Sequence, residues 1–120
     1  MRLQRADRQI EALACCQRTF GRAAVEVIAR VKAIAAEAIT LARGEGLARS
    51  DILVLVEGVW QSLPREAADA VGGLSIALLA FCEARGLSAD HCERNELARR
   101  LSLPSGPLRE GEQRALGQGE

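Results

Sequence analysis

The chain has 120 residues, which fits one domain with a modest core, and 48% of them are hydrophobic, which excludes disorder by composition. Sixteen basic residues balance sixteen acidic ones, so no net charge draws nucleic acid or anionic lipid to the surface. Aromatic residues make up only 2%, and tyrosine is absent, so the core must be aliphatic, a composition that favours helices over sheets.

Five helical segments follow in order, and no strand signal competes with them. The first is expected from Leu3 to Gln17, with Gly21 as its stop. The second runs from Arg22 to Arg43 and ends at Gly44-Glu45-Gly46. Ser50 is expected to cap a third helix over Asp51 to Gln61, with Asp51 favouring the positive helix end. Pro64 opens the fourth, which runs to Arg85 and stops at Gly86. Ser88 caps the fifth, Ala89 to Leu101, and Leu103-Pro104-Ser105-Gly106-Pro107 closes the regular structure. The expected organisation is a single α-helical domain over residues 1–107 and a loosely ordered tail over 108–120.

Projected at 100° per residue, the second helix is apolar over more than half its circumference, including Val25, Ile28, Val31, Ile34 and Ile39. Such a helix needs neighbours on two or more sides, at the centre of a bundle or at a subunit interface. The fourth helix places Glu66, Asp69, Gly73, Ala77, Ala80 and Ala84 on one stripe, with Leu74, Leu78 and Phe81 on another side. Each mid-helix glycine costs about 0.5–1 kcal/mol relative to alanine, so Gly72-Gly73 implies a compensating reason. Two reasons stay open: close approach of another helix, or room for a ligand. The uncharged run from Ala70 to Cys82 is about 13 residues, short of the roughly 20 that a bilayer span needs. No membrane role is expected.

The four cysteines, Cys15, Cys16, Cys82 and Cys92, match no zinc spacing. The charged N-terminus lacks the apolar run of a signal peptide, so reduced thiols and a cytoplasmic location are expected. His91 is the only histidine and reads as a cap-proximal, solvent-facing residue. Arg94, Arg99 and Arg100 are interleaved with Glu93 and Glu96, as on a salt-bridged, solvated face. Trp60 reads as an anchor in the core or at an interface.

Several pieces follow one another in a telling order: "CQRTFG", then "IAAEAITLARGEGLARSDILVLVEGVW", then "AVGGLSIALLAFCEARGLSADHCERNELARRL", with "LREGEQ" in the tail. In that order they resemble the MazG-like all-α nucleoside triphosphate pyrophosphohydrolases, in particular a compact phage-type branch. The resemblance implies a dimer or tetramer whose carboxylates hold Mg²⁺ beside a nucleotide's phosphates, with water cleaving between the α- and β-phosphates. Mg²⁺ is a hard ion taking oxygen ligands in octahedral geometry, so that chemistry needs several acids. The family's first acidic set keeps only Glu37 here, because Ala36 and Thr40 stand at its other two positions. The later set falls on Ala70 and Gly73, so both of its acids are absent. Glu66 and Asp69 lie one turn or less away and are the candidate substitutes, and Glu96 matches a further acid of the phage-type pattern without a role.

The expected fold class is therefore all-α, a bundle of four or five helices centred on the second and fourth and oligomeric through its apolar helices. The implied function is that of a MazG-like pyrophosphohydrolase, converting a nucleoside triphosphate to the monophosphate and pyrophosphate, with that activity weak or lost. Its candidate Mg²⁺ ligands are Glu37, Glu66 and Asp69. The alternative is a non-catalytic self-association or protein-interaction module of phage or bacterial origin. The partners implied are copies of the chain and a nucleoside triphosphate.

Overall fold

The computed structural model describes residues 4–102. Among them the regular elements are all helical: α1 (Arg5–Phe20), a 3-10 turn (Arg22–Val25), α2 (Val27–Gly44), α3 (Arg49–Trp60), α4 (Ala67–Arg85) and α5 (Ala89–Leu101). The described residues are all-α, as the aliphatic composition favours, and α5 has the bounds expected of it. The tail 108–120 and its "LREGEQ" segment lie outside the described residues.

The helix ends follow from local chemistry. At the start of α1 the Gln4 amide donates to Asp7 Oδ2 at 3.3 Å, satisfying one of the amides that helix geometry leaves without a partner. Gly21 ends α1 with φ +96°, a value that glycine alone adopts without strain. The expected continuous second helix is interrupted here. The 3-10 turn Arg22–Val25 is followed by Glu26 in an extended conformation (φ −69°, ψ 142°), and α2 begins only at Val27. Tertiary contact explains the break. Ala24 is buried where the turn packs on α1, and its carbonyl accepts Arg30 Nε at 2.6 Å instead of an amide four residues on.

The cap of α3 also differs from expectation. Ala48 is the residue before the helix, Ser50 lies inside its first turn, and the capping acceptor is Asp51 Oδ2, 2.9 Å from the Ala48 amide. At α4 the extended residue is Glu66, so Pro64 precedes the helix and does not open it. Ser88 behaves as expected: its hydroxyl accepts the His91 amide at 3.2 Å.

Two helix ends share one design. At the end of α2 the Leu47 amide reaches back to the Ala42 carbonyl at 3.0 Å, across Gly46 at φ +100°. At the end of α4 the Leu87 amide reaches the Cys82 carbonyl at 2.8 Å, across Gly86 at φ +76°. Both are the six-to-one closure in which a left-handed glycine turns the chain back to satisfy carbonyls left over by the helix.

The described residues divide into two compact units, one made of 4–41 with 99–102 and the other of Ala42–Ala98. In the first, Cys15, Cys16, Thr19 and Ala24 are buried where α1 meets the 3-10 turn. Arg30 joins them, its Nη1 3.2 Å from Cys16 Sγ. In the second, Cys82 is the one buried side chain among the described residues, in keeping with a small hydrophobe on an apolar helix.

Helices α2 and α4 are not the buried centre expected of them. No residue of α2 is buried in the single chain, and only Cys82 of α4 is. Both are apolar around most of their circumference, and one short chain does not supply an apolar neighbour for every side. Helix α4 is also 19 residues long with a mean hydropathy of 1.5, so by length and composition it alone among the described helices could cross a membrane. The helix extends beyond the uncharged run on both sides, through Asp69 and Glu83, so length does not exclude a span.

Candidate functional site

The expected metal ligands occupy distinct settings. Glu37 projects from α2 in the first unit and is more than half exposed, with its Oε1 4.0 Å from Arg100 Nη2 at the end of α5. At that distance and exposure the pair contributes little. Glu66 and Asp69 belong to the second unit. Glu66 is the cap residue of α4, with its side chain making no capping hydrogen bond, and Asp69 lies in the first turn. Acids there are favoured by the positive end of the helix dipole, which explains them without a metal. Within either unit, no group of three or more His, Cys, Asp or Glu side chains among the described residues could hold a metal ion.

Gly73, where the resemblance noted from the sequence would call for an acid, has a cation over it in the structure. The Arg65 guanidinium folds back along the first turn of α4, with Nη2 donating to the Asp69 carbonyl at 2.8 Å. A Cβ built on Gly73 would stand 3.2 Å from Arg65 Nη1. An Mg²⁺ ligand set needs concentrated negative charge, and a guanidinium at its centre opposes that. No sequence pattern signalled this contact, because an arginine eight residues before a glycine has no fixed direction until the chain turns at Pro64 and Glu66.

The remaining polar contacts read as architecture. Arg85 Nε pairs with Glu45 Oε1 at 3.0 Å, and Arg94 Nε with Asp90 Oδ2 at 2.8 Å one turn earlier on α5, an acid other than the Glu93 and Glu96 expected on that face. Glu11 accepts Arg18 Nη2 at 3.0 Å and holds that guanidinium above its ordinary pKa. His91 is exposed beside its cap, and Cys92 is the one exposed thiol of four free cysteines.

What the single chain presents most openly is apolar. Trp60, expected in a core or at an interface, is 82% exposed, and Leu63, Val54 and Val59 are mostly exposed too. No protein-family model matches the chain, and no curated protein or solved structure is significantly similar to it.

Proposed function

We propose that this chain is a MazG-like helical protein that acts by associating with copies of itself, its hydrolysis of nucleoside triphosphates weak or lost. The observation that carries this reading is the exposure of α3 on its apolar side, with Trp60 and Val59 mostly uncovered. An apolar helix of this kind is stable in water only when something covers it. Burying half a dozen such side chains is worth on the order of 10 kcal/mol, using about 1.5–3 kcal/mol for each fully covered one. That is comparable with the cost of bringing two molecules together, so self-association is within energetic reach.

The carboxylates argue against strong catalysis. Glu37 is one acid where the family pattern has three, and Arg65 lies over Gly73 where another would stand. A lipid partner fits less well than a protein one. Helix α3 has 12 residues, about 18 Å at 1.5 Å per residue, too short for the roughly 30 Å hydrocarbon layer. The free thiols agree with a reducing compartment, and we place the protein in the cytoplasm.

The test has two arms. Light scattering at micromolar concentration should give at least twice the 12.9 kDa chain mass, and a monomer would refute the proposal. Incubation with each common nucleoside triphosphate and Mg²⁺ should release little pyrophosphate. Rapid release that Glu37→Ala abolishes would instead restore full enzymatic function.

A further inference from the structure

We infer that the chain carries one 40-residue helical hairpin twice, as α2–α3 and as α4–α5, and that Glu66 is the counterpart of Glu26 in it, a residue that starts a helix and not one that holds a metal. The helices begin in step. Ala67 follows Val27 by 40 residues, and Ala89 follows Arg49 by the same 40. The bends are in step too. The Leu47 amide donates to the Ala42 carbonyl at 3.0 Å and the Gly46 amide to Arg43 at 3.1 Å; these recur as Leu87 to Cys82 at 2.8 Å and Gly86 to Glu83 at 3.3 Å. At the far end of each hairpin, the Ser62 amide closes on the Val59 carbonyl at 3.0 Å and the Ser102 amide on Arg99 at 3.2 Å. An offset that holds across helix starts, bends and ends is the mark of a repeated unit.

The sequence keeps the same register at the points that set the path. Gly46-Leu47 recurs as Gly86-Leu87, Ser62-Leu63-Pro64 as Ser102-Leu103-Pro104, and Glu26 and Val31 as Glu66 and Val71. The exposed surfaces have diverged: Leu53 and Trp60 of α3 stand where α5 has Glu93 and Arg100. Equivalent positions also meet. Glu45 and Arg85 match in this register, both lie in the second compact unit, and their side chains pair at 3.0 Å. Ordinary helix ends account for a glycine in each bend. They do not account for the same tripeptide beyond both hairpins, nor for bonded partners at the same offset.

The register bears on the candidate metal ligands. Glu37 matches Ala77 and Asp69 matches Ala29, so neither acid recurs. Glu66 does. Glu26 and Glu66 are both extended immediately before a helix, at φ −69°, ψ 142° and at φ −62°, ψ 150°. Each carbonyl accepts the first helical amide, from Arg30 at 3.2 Å and from Ala70 at 3.0 Å. An acid at this place is favoured by the positive end of the helix dipole. What both copies keep belongs to what they share, the start of a helix, and the copy with Glu26 has no equivalent of Asp69 beside it.

The test uses the full chain, with urea unfolding followed by circular dichroism at one protein concentration. Glu45→Arg sets two guanidinium groups against each other and should lower the midpoint by about 0.3 M at low salt. Adding Arg85→Glu rebuilds the pair in reverse and should recover most of that loss, because equivalent positions accept the pair in either direction. A double variant no more stable than Glu45→Arg alone overturns the equivalence. Glu26→Gln and Glu66→Gln each remove one charge from a helix start and should lower the midpoint by similar amounts, about 0.2–0.5 M. Calorimetric titration with Mg²⁺ alone should give the wild-type trace for both. A midpoint shift in one of these two variants and none in the other, or loss of Mg²⁺ uptake confined to Glu66→Gln, overturns the assignment of Glu66. Neither comparison rests on the self-association proposed above.

Discussion

Replacing Gly72 by alanine separates two readings of the adjacent glycines in α4. If a neighbouring helix pressed against this seam, an added methyl would be expelled or would push the neighbour away, costing about 1–3 kcal/mol. In the single chain, a Cβ at Gly72 meets nothing within 4 Å, and its φ is not positive. Alanine there should therefore only remove backbone freedom from the unfolded chain, a gain of about 0.5–1 kcal/mol. For a domain of this size that raises the melting midpoint by about 2–6 °C. Gly86→Ala is the internal contrast, because it also has open space around it but sits at φ +76°. It should lose about 1–2 kcal/mol through backbone strain alone. Urea unfolding followed by circular dichroism, at two protein concentrations to separate folding from association, reads both. A Gly72→Ala midpoint below wild type would show that another surface occupies the seam in the working protein, and would refute the argument from open space.

Arg30→Met should lower stability by about 1–3 kcal/mol, because the Ala24 carbonyl loses a charged donor at 2.6 Å and Cys16 its polar neighbour; an unchanged urea midpoint would contradict this. Ala48→Ser should raise stability by about 0.5–1 kcal/mol, supplying α3 with the hydroxyl cap that Ser88 gives α5, measured in the same assay.

The helix class, the start and end of α5 and the stops at Gly21 and Gly86 were legible because short-range chemistry decides them. Ser88 is a capping side chain in the structure as it is in the sequence pattern. The break at Glu26 was not legible. Residues 22–43 carry a continuous helical pattern, and the interruption depends on Ala24 finding cover on α1 and on Arg30 reaching back to its carbonyl. The cap of α3 is not legible because Ser50 and Asp51 offer equivalent oxygens at neighbouring positions, and it is Asp51 Oδ2 that reaches the Ala48 amide. Of the candidate site, the scarcity of acids around Glu37, with Ala36 and Thr40 beside it, was visible residue by residue. The Arg65 guanidinium over Gly73 was not, since no periodicity governs an arginine before the helix begins. The width of the apolar arc was plain on α2, yet no pattern within one chain identifies which molecule will cover it.

The matching closures after α2 and α4 make those two bends self-contained. In each, a glycine, the leucine after it and carbonyls of the preceding turn complete the corner through backbone bonds alone. The closure of each corner is local, and the distant side chain that reaches them is Arg85, whose Nε meets Glu45 Oε1 at 3.0 Å and links the two bends. Each corner can therefore form together with its own helix, while through the Arg85–Glu45 pair a change at one bend is felt at the other.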